Sequence, residues 1–224
     1  MKRVITIDGP SGAGKSTIAK RLATELGFEY LDTGALYRAV ALYLRRSGCD
    51  ENISDEEISR LLEGLKISFS DGRVFINNED VTDRIRTPEI GHFSSVFSAR
   101  APVREFLMGV QRGFPEEHDT VAEGRDMGTV VFPDAWKKFF ITASIEERTR
   151  RRFKQLQEMG KAVTLDEALR DVKERDERDS NRKIAPLKKP ADAVHIDTTE
   201  LSLEETLQCI KKHLGSDNSP EDRP

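Results

Sequence analysis

The feature that most constrains this chain is a glycine-rich loop between an apolar run and a helical pattern. Residues 9–16 read Gly-Pro-Ser-Gly-Ala-Gly-Lys-Ser and match G-x-x-x-x-G-K-[ST]. The apolar residues 4–7 precede this loop, and Ile18, Leu22 and Leu26 follow it at helical spacing. Strand, glycine loop and helix together form a phosphate site, because the backbone N–H groups of such a loop point inward.

Two side chains of this loop, called the P-loop below, carry its predicted chemistry. We expect Lys15 to reach the β- and γ-phosphates of a nucleotide. We expect the Ser16 hydroxyl to ligate Mg²⁺. The alternative is an ordinary glycine turn, which the flanking strand and helix disfavour.

Composition limits the classes of protein that fit. The 224 residues permit one domain with an insertion. The net charge of −4 argues against a broad nucleic-acid or membrane surface, but leaves room for a local cluster of cations. No apolar run approaches the roughly 20 residues of a membrane span, and the chain starts directly with a strand, so we expect no signal peptide and a cytoplasmic location. Cys49 and Cys209 match no metal or disulfide spacing and are expected to be idle thiols.

Short apolar runs separated by helical stretches predict an α/β fold with a parallel sheet. The five predicted strands are residues 3–7, 29–31, 120–122, 138–142 and 193–196. The predicted core helices are residues 15–25, 35–46 (with Asp32 or Thr33 as its cap) and 103–113.

Residues 65–83 break this pattern. Two alternating runs, 66–70 and 73–76, flank Asp71-Gly72, which is a strong hairpin signal. We therefore expect a small antiparallel insertion over residues 65–100, between the core segments 1–64 and 101–214. It is either loop decoration or a substrate-binding element.

Residues 148–182 are predicted to form two helices with a break at Met159-Gly160. The run Arg150-Arg151-Arg152 is either solvated surface or part of a lid that closes on a triphosphate. The polar tail, residues 215–224, is predicted to be disordered.

Polar clusters fall where ligands bind an α/β sheet, at the carboxyl ends of its strands. They are Asp32-Thr33-Gly34 with Tyr37-Arg38, the segment 123–129, and the helix face of Arg175, Asp179 and Arg182. Each has an ordinary alternative: a surface ion pair for Arg38, a turn cap for Arg125-Asp126, and salt-bridge lacing through Asp171/Arg175 and Glu174/Arg178. Taken together, four arginines at one sheet edge fit a second phosphate opposite the first, as phosphoryl transfer requires.

Four sequence blocks make the chain resemble the bacterial cytidylate kinases, a family of nucleoside monophosphate kinases. The blocks are residues 7–17, 31–38, 123–135 and 175–182. Gly-Arg-Asp-Met-Gly-Thr and Arg-Asp-x-x-Asp-x-x-Arg are more specific than the P-loop, which all P-loop kinases share. The resemblance covers nearly the whole chain.

The resemblance implies the fold and the reaction. The fold would be a P-loop, five-stranded parallel sheet flanked by helices, with an antiparallel β insertion that binds the nucleoside monophosphate and a short helical lid (148–182). The reaction would transfer the γ-phosphoryl group of ATP to CMP or dCMP, giving ADP and (d)CDP, in pyrimidine nucleotide metabolism. Mg²⁺ would accompany ATP, no nucleic acid or membrane would take part, and the protein would be a monomer.

The resemblance also implies an ATP side of the site. The residues implied to bind ATP are Gly9, Pro10, Ser11, Gly12, Ala13, Gly14, Lys15, Ser16, Thr17 and Arg152. Ser16 would contact Mg²⁺, and Arg152, together with Arg148, would belong to the lid.

On the acceptor side, Arg38, Arg125 and Arg182 are implied to hold the CMP phosphate. Arg175 would lie near the transferring group, and Gly124 belongs to the same substrate-binding set. The residues implied to be catalytic are Lys15, Arg125, Arg175 and Arg182.

The nucleoside is implied to meet two further groups. Thr33 and Asp179 would contact the ribose beside Tyr37, with Thr33 standing where other members carry serine. Ser95, Arg104 and Asp126 would read the cytosine edge, where a carboxylate suits the N4 amine and a guanidinium suits the N3 and O2 acceptors. The alternatives are a P-loop kinase for another small acceptor such as UMP, a nucleotide-dependent switch, and an ATPase acting on nucleic acid.

Overall fold

A parallel five-stranded sheet forms the centre of the computed structural model, which describes residues 2–70 and 72–215. The strands are β1 (Val4–Asp8), β2 (Glu29–Asp32), β3 (Ile67–Ser70), β4 (Arg73–Ile76), β5 (Glu79–Asp80), β6 (Thr120–Gly124), β7 (Lys137–Thr142) and β8 (Val194–Asp197). The α-helices are α1 (Lys15–Leu26), α2 (Thr33–Arg46), α3 (Asp55–Leu62), α4 (Pro88–Phe97), α5 (Ala101–Gly113), α6 (Ile145–Glu158), α7 (Leu165–Asn181) and α8 (Leu203–Gly215).

The main sheet has the strand order β2-β6-β1-β7-β8, and all of its strand pairs are parallel. All five predicted strands are therefore confirmed, with ends that shift by a residue or two. Its register sets Asp32 beside Glu123 and Asp8 beside Gly124 at the carboxyl edge. The acidic ends of three strands thus meet at the start of the P-loop.

Close backbone packing holds the P-loop against this edge. Gly9 has φ of 149°, and a Cβ there would lie 1.9 Å from the carbonyl oxygen of Ile141 on β7. Only glycine fits at position 9, so the loop is held close against the sheet.

The predicted cap of α2 is confirmed: the Asp32 carboxylate accepts the backbone N–H of Ala35 at 2.9 Å.

The predicted hairpin is confirmed as part of a second, antiparallel sheet. β3 pairs with β4, and the short β5 extends the sheet on the other side of β4. Asp71 lies outside the described residues. Val74 and Phe97 belong to one hydrophobic cluster with Leu36 and Val40 of α2, so this region packs directly on the core. The boundaries 65–100 of the insertion stay a prediction.

The predicted break between two helices is also confirmed. α6 ends at Glu158, Gly160 adopts a φ of 73°, and α7 begins with a capping box formed by Thr164 and Glu167.

Gly215 is the last residue of α8, and the rest of the tail predicted to be disordered lies outside the described residues. Within residues 2–70 and 72–215, no helix is both long and apolar enough to cross a membrane. Both cysteines are free thiols.

Candidate active site

A cleft of about 880 Å³ opens at the carboxyl edge of the main sheet, between the P-loop, α2, α4 and the α6–α7 pair. The expected site residues that line it are Ser11, Gly12, Gly14, Lys15, Ser16, Thr17, Thr33, Tyr37, Arg38, Ser95, Gly124, Arg125, Asp126, Arg152, Arg175, Asp179 and Arg182. Four expected residues are not part of its wall: Gly9, Pro10, Ala13 and Arg104. The first three belong to the P-loop backbone, and Arg104 lies buried behind Asp126.

Lys15 is folded back onto the P-loop. Its Nζ donates a hydrogen bond to the Pro10 carbonyl oxygen at 2.7 Å, and only 5 % of the residue is exposed. Burial, with the nearby Arg125 guanidinium, lowers the pKa of Lys15, against the attraction of Glu123. An anion bound in the loop would therefore stabilise the charged ammonium strongly.

Two carboxylates stand beside the P-loop serine. Glu123 is 4 % exposed, and burial together with the Asp32 carboxylate raises its pKa, against the influence of Lys15 and the Ser16 hydroxyl. The Tyr30 hydroxyl donates to Glu123 Oε1 at 2.5 Å. The sequence reasoning missed Tyr30, although strand alternation places it on the same face of β2 as Asp32.

A third carboxylate, also missed, joins the P-loop strand to the segment that carries Arg125. The Asp8 oxygens accept the backbone N–H groups of Met127 at 2.9 Å and Gly128 at 2.8 Å. Burial raises the pKa of Asp8 to about 6, despite these two hydrogen bonds. Its signal in the sequence was an acidic residue at the end of an otherwise apolar strand.

Three guanidiniums converge on the cleft wall opposite the P-loop. Burial, followed by Arg125 and Arg38, lowers the pKa of Arg175 to about 10. The Nε of Arg175 is buried and makes no hydrogen bond within the described residues. Burial also lowers the pKa of Arg38, which donates to the Ile85 carbonyl oxygen at 3.3 Å. Such a cluster of half-buried positive charge favours an anion between the three side chains.

The structure differs from the alternative roles considered for these arginines, such as a surface ion pair for Arg38 or ion pairs along α7 for Arg175. Arg38 meets a backbone carbonyl and not a surface carboxylate, as just described. Arg125 Nε donates to Asp179 Oδ2 at 2.8 Å. Asp171 pairs with Arg152 at 2.6 Å, so it does not lace Arg175 along α7.

A buried ion-pair network occupies the end of the cleft expected to hold the base. The two Asp126 oxygens accept hydrogen bonds from Arg104 and, at 3.0 Å, from Arg182. Arg182 thus lies at the cleft but is tied to Asp126, a contact that sequence reasoning did not foresee. The Ser95 hydroxyl is buried and has no hydrogen-bond partner within the described residues. Ser95 and Asp126 therefore form one polar surface, supported from behind by Arg104.

The helices α6 and α7 touch the P-loop through a shared ion pair. Asp176 Oδ1 accepts the Ser11 backbone N–H at 3.0 Å, and Asp176 pairs with Arg148. Arg148 in turn donates to the Ser11 carbonyl oxygen at 3.2 Å. In the arginine run, Arg150 is largely exposed, whereas Arg152 lines the cleft. Arg150 therefore fits the solvated-surface alternative, while a lid role for Arg152 stays a prediction.

A second hollow, of about 510 Å³, lies between the start of α6 and the segment that precedes α8. Its wall includes Arg151 and Thr199. Arg151 donates to the Ala13 carbonyl oxygen at 3.3 Å, as does Thr198 at 3.4 Å. Arg151 thus connects the wall of this hollow to the P-loop backbone.

The donor set around Ser16 fits Mg²⁺ that arrives with a nucleotide. Residues 2–70 and 72–215 hold no group of three or more histidine, cysteine or acidic side chains suited to a metal ion. Ser16, Glu123 and Asp32 instead supply a few hard oxygen atoms at the mouth of the P-loop. Mg²⁺ commonly keeps several waters and binds through one or two carboxylates plus phosphate oxygens.

This fold and this site define a P-loop kinase, in which a phosphate-binding loop faces a second cluster of cations across one cleft. The chain belongs to the cytidylate kinase family, because the model of that family, "Cytidylate kinase", matches residues 5–215.

Curated relatives agree with this assignment, and a solved structure has a similar fold. "Cytidylate kinase" of Thermodesulfovibrio yellowstonii is 53 % identical over 97 % of this chain and 100 % of its own length. "Cytidylate kinase" of Thermotoga maritima is 50 % identical over 93 % of this chain and 94 % of its own. An uncharacterized protein from Eubacterium ventriosum has a similar structure, with a TM-score of 0.53 and 15 % identity over 96 % of this chain and 99 % of that one. That likeness concerns the fold alone.

Proposed function

We propose that this protein transfers the γ-phosphoryl group of ATP to CMP or dCMP, giving ADP and CDP or dCDP. The observation that carries the proposal is the placement of Arg38, Arg125 and Arg175. They come from three separate segments and meet in one cleft with the P-loop. A donor and an acceptor phosphate bound there would face each other with their charge neutralised.

On the donor side, the P-loop backbone N–H groups and Lys15 would bind the ATP phosphates, and Thr17 would extend this set. The hollow beside Arg151 and Thr199 would receive the nucleoside that leaves the loop. Ser16, with Glu123 and Asp32, would hold Mg²⁺, which supplies charge neutralisation at the transferring phosphate.

On the acceptor side, the arginine cluster would bind the monophosphate. A phosphate acceptor is already anionic at neutral pH, so the transfer needs no strong general base. The Thr33 hydroxyl donates to the Glu123 carbonyl oxygen at 2.6 Å, which leaves its lone pairs to accept from a ribose hydroxyl. Asp179 stands nearby with its carboxylate on Arg125.

Cytosine specificity would come from Asp126 and Ser95. A carboxylate that accepts hydrogen bonds from two arginines would also accept from the N4 amine of cytosine, whereas the O4 atom of uracil would face it unfavourably. Buried polar groups left unpaired by the wrong substrate give strong discrimination. This disfavours UMP as the main acceptor. The cytoplasmic location and the monomeric state stay predictions.

The test is ADP production from MgATP with CMP, dCMP, UMP and AMP in parallel. We expect turnover with CMP and dCMP that clearly exceeds turnover with UMP or AMP. The Asp126→Ala variant should lose CMP turnover by at least about 100-fold while its affinity for ATP stays within about twofold. Equal activity with all four acceptors, or equal losses for CMP and ATP, would exclude the proposed base-reading site.

A further inference from the structure

Tyr30 makes a contact that none of the roles above explains. It lies on β2, at the edge of the main sheet, and its hydroxyl donates to Oε1 of the buried Glu123 at 2.5 Å. Its ring packs against the hydrophobic cluster around α1 and β1, beside Phe28. The ring therefore has a packing role, while the hydroxyl reaches past it to the carboxylate at the mouth of the P-loop.

The chemistry of this pair favours a fixed direction for the hydrogen bond. A phenol has an O–H to donate, whereas a carboxylate oxygen only accepts, so Tyr30 is the donor and Glu123 Oε1 the acceptor. Glu123 has competing partners nearby, because the Lys15 ammonium attracts it through charge and the Ser16 hydroxyl through a hydrogen bond. A phenol that donates to Oε1 would prevent the carboxylate from turning wholly toward the lysine.

We propose that Tyr30 is a positioning residue, whose hydroxyl holds the Glu123 carboxylate in the orientation that, with Ser16, binds the magnesium ion of a magnesium–nucleotide complex. This inference rests on the proposed function only in assuming that the P-loop binds such a complex. It does not depend on which acceptor is phosphorylated. Groups that orient a metal-binding side chain commonly change metal affinity by about tenfold or more when removed.

The test separates the hydroxyl from the ring. Tyr30→Phe keeps the ring and removes only the oxygen. Tyr43→Phe is the matched control, because the Tyr43 hydroxyl also donates a hydrogen bond, at 3.2 Å to the Leu61 carbonyl oxygen, but lies outside the cleft wall. Titration calorimetry then compares the affinity for ADP with Mg²⁺ and for ADP with EDTA.

Mg²⁺ raises the affinity for ADP, and we expect this increase to be about tenfold smaller in Tyr30→Phe than in wild type. The affinity for ADP measured with EDTA should be the same in both proteins. Tyr43→Phe should keep both values. An unchanged gain in Tyr30→Phe, or an equal loss with and without Mg²⁺, would overturn the proposal, because a packing defect does not depend on the metal.

A double-mutant cycle with Glu123→Ala checks the route of the effect. Once the carboxylate is gone, adding Tyr30→Phe should cause no further loss of the Mg²⁺-dependent gain. A persisting loss would show that Tyr30 does not act through Glu123. Suppose that Tyr30→Phe loses the Mg²⁺-dependent gain relative to wild type, but wild type fails to phosphorylate CMP. The inference then holds, and the proposed function fails.

Discussion

Among single side chains, Lys15 has the clearest expected effect. Its ammonium is buried beside the P-loop and gains its counter-charge from a bound nucleotide. We expect Lys15→Ala to reduce turnover by about 10³-fold, the order found when a donor to transition-state charge is removed. The matched control is Lys20→Ala, an exposed lysine on the same helix. Near-normal turnover in Lys15→Ala, with an unchanged melting temperature, would contradict the phosphate role of the loop.

Asp8 gives a stability that depends on pH. Its folded-state pKa of about 6 exceeds the ordinary value of 3.8, so the neutral form is favoured in the fold. The stability that Asp8 contributes is complete below pH 3.8 and is lost as the pH rises through 6. The expected difference is about 3 kcal/mol in the free energy of unfolding.

Urea unfolding from pH 4 to pH 7 measures this effect. The free energy of unfolding of wild type should fall relative to that of Asp8→Asn over this range. Parallel pH curves for the two proteins would show that Asp8 is not held in the way described.

Among the elements, the P-loop is held by Gly9 against β7. A Cβ at Gly9 would lie 1.9 Å from the Ile141 carbonyl oxygen, whereas a Cβ at Gly109 on α5 would meet no atom within 4 Å. We expect Gly9→Ala to lower the free energy of unfolding by about 2 kcal/mol or more and to weaken ATP binding. Gly109→Ala should be neutral or stabilising by up to about 1 kcal/mol. Chemical unfolding and ATP titration of both variants check this, and equal stability would contradict the packing described.

The elements that sequence predicted best are those with strong local signals. The P-loop, the five buried strands and the hairpin turn each carry a pattern within a few neighbouring residues. The strand β5 was missed because its two residues are too short for a periodic signal. The helices α3, α4 and α8 were also missed, although Ser54 and Glu57 form a capping box at the start of α3. The ends of β2 and β6 extend past the apolar run because Asp32 and Glu123 continue the ladder of paired backbone groups.

The site residues, like the elements, were predicted where the signal is local and missed where it is not. Residues within motifs, such as Arg125, Asp126 and Asp179, are brought to one cleft as expected. Tyr30 and Asp8 were missed because their partners, Glu123 and the Met127 backbone, lie far along the chain. The pairing of Arg182 with Asp126 depends on where α7 docks, which no local pattern specifies.

Across the full fold, the two halves of the cleft come from distant parts of the chain. α2 carries Arg38, β6 leads to Arg125, and α7 carries Arg175, while the P-loop follows β1. Asp176 of α7 pairs with Arg148 of α6 and accepts the Ser11 N–H, so these two helices are connected to that loop. A chain with a net charge of −4 thus concentrates positive charge at one place, where two nucleotides would meet.

The most direct measurement is the binding of a bisubstrate compound in which adenosine and cytidine are joined through a chain of five phosphates. Titration calorimetry should show one molecule bound per chain, at least about 100-fold more tightly than ATP or CMP alone, because linking two ligands avoids a second loss of translational freedom. Lys15→Ala and Arg38→Ala should each weaken it. An affinity no higher than that of ATP, unaffected by Arg38→Ala, would show that the cleft does not hold two nucleotides face to face.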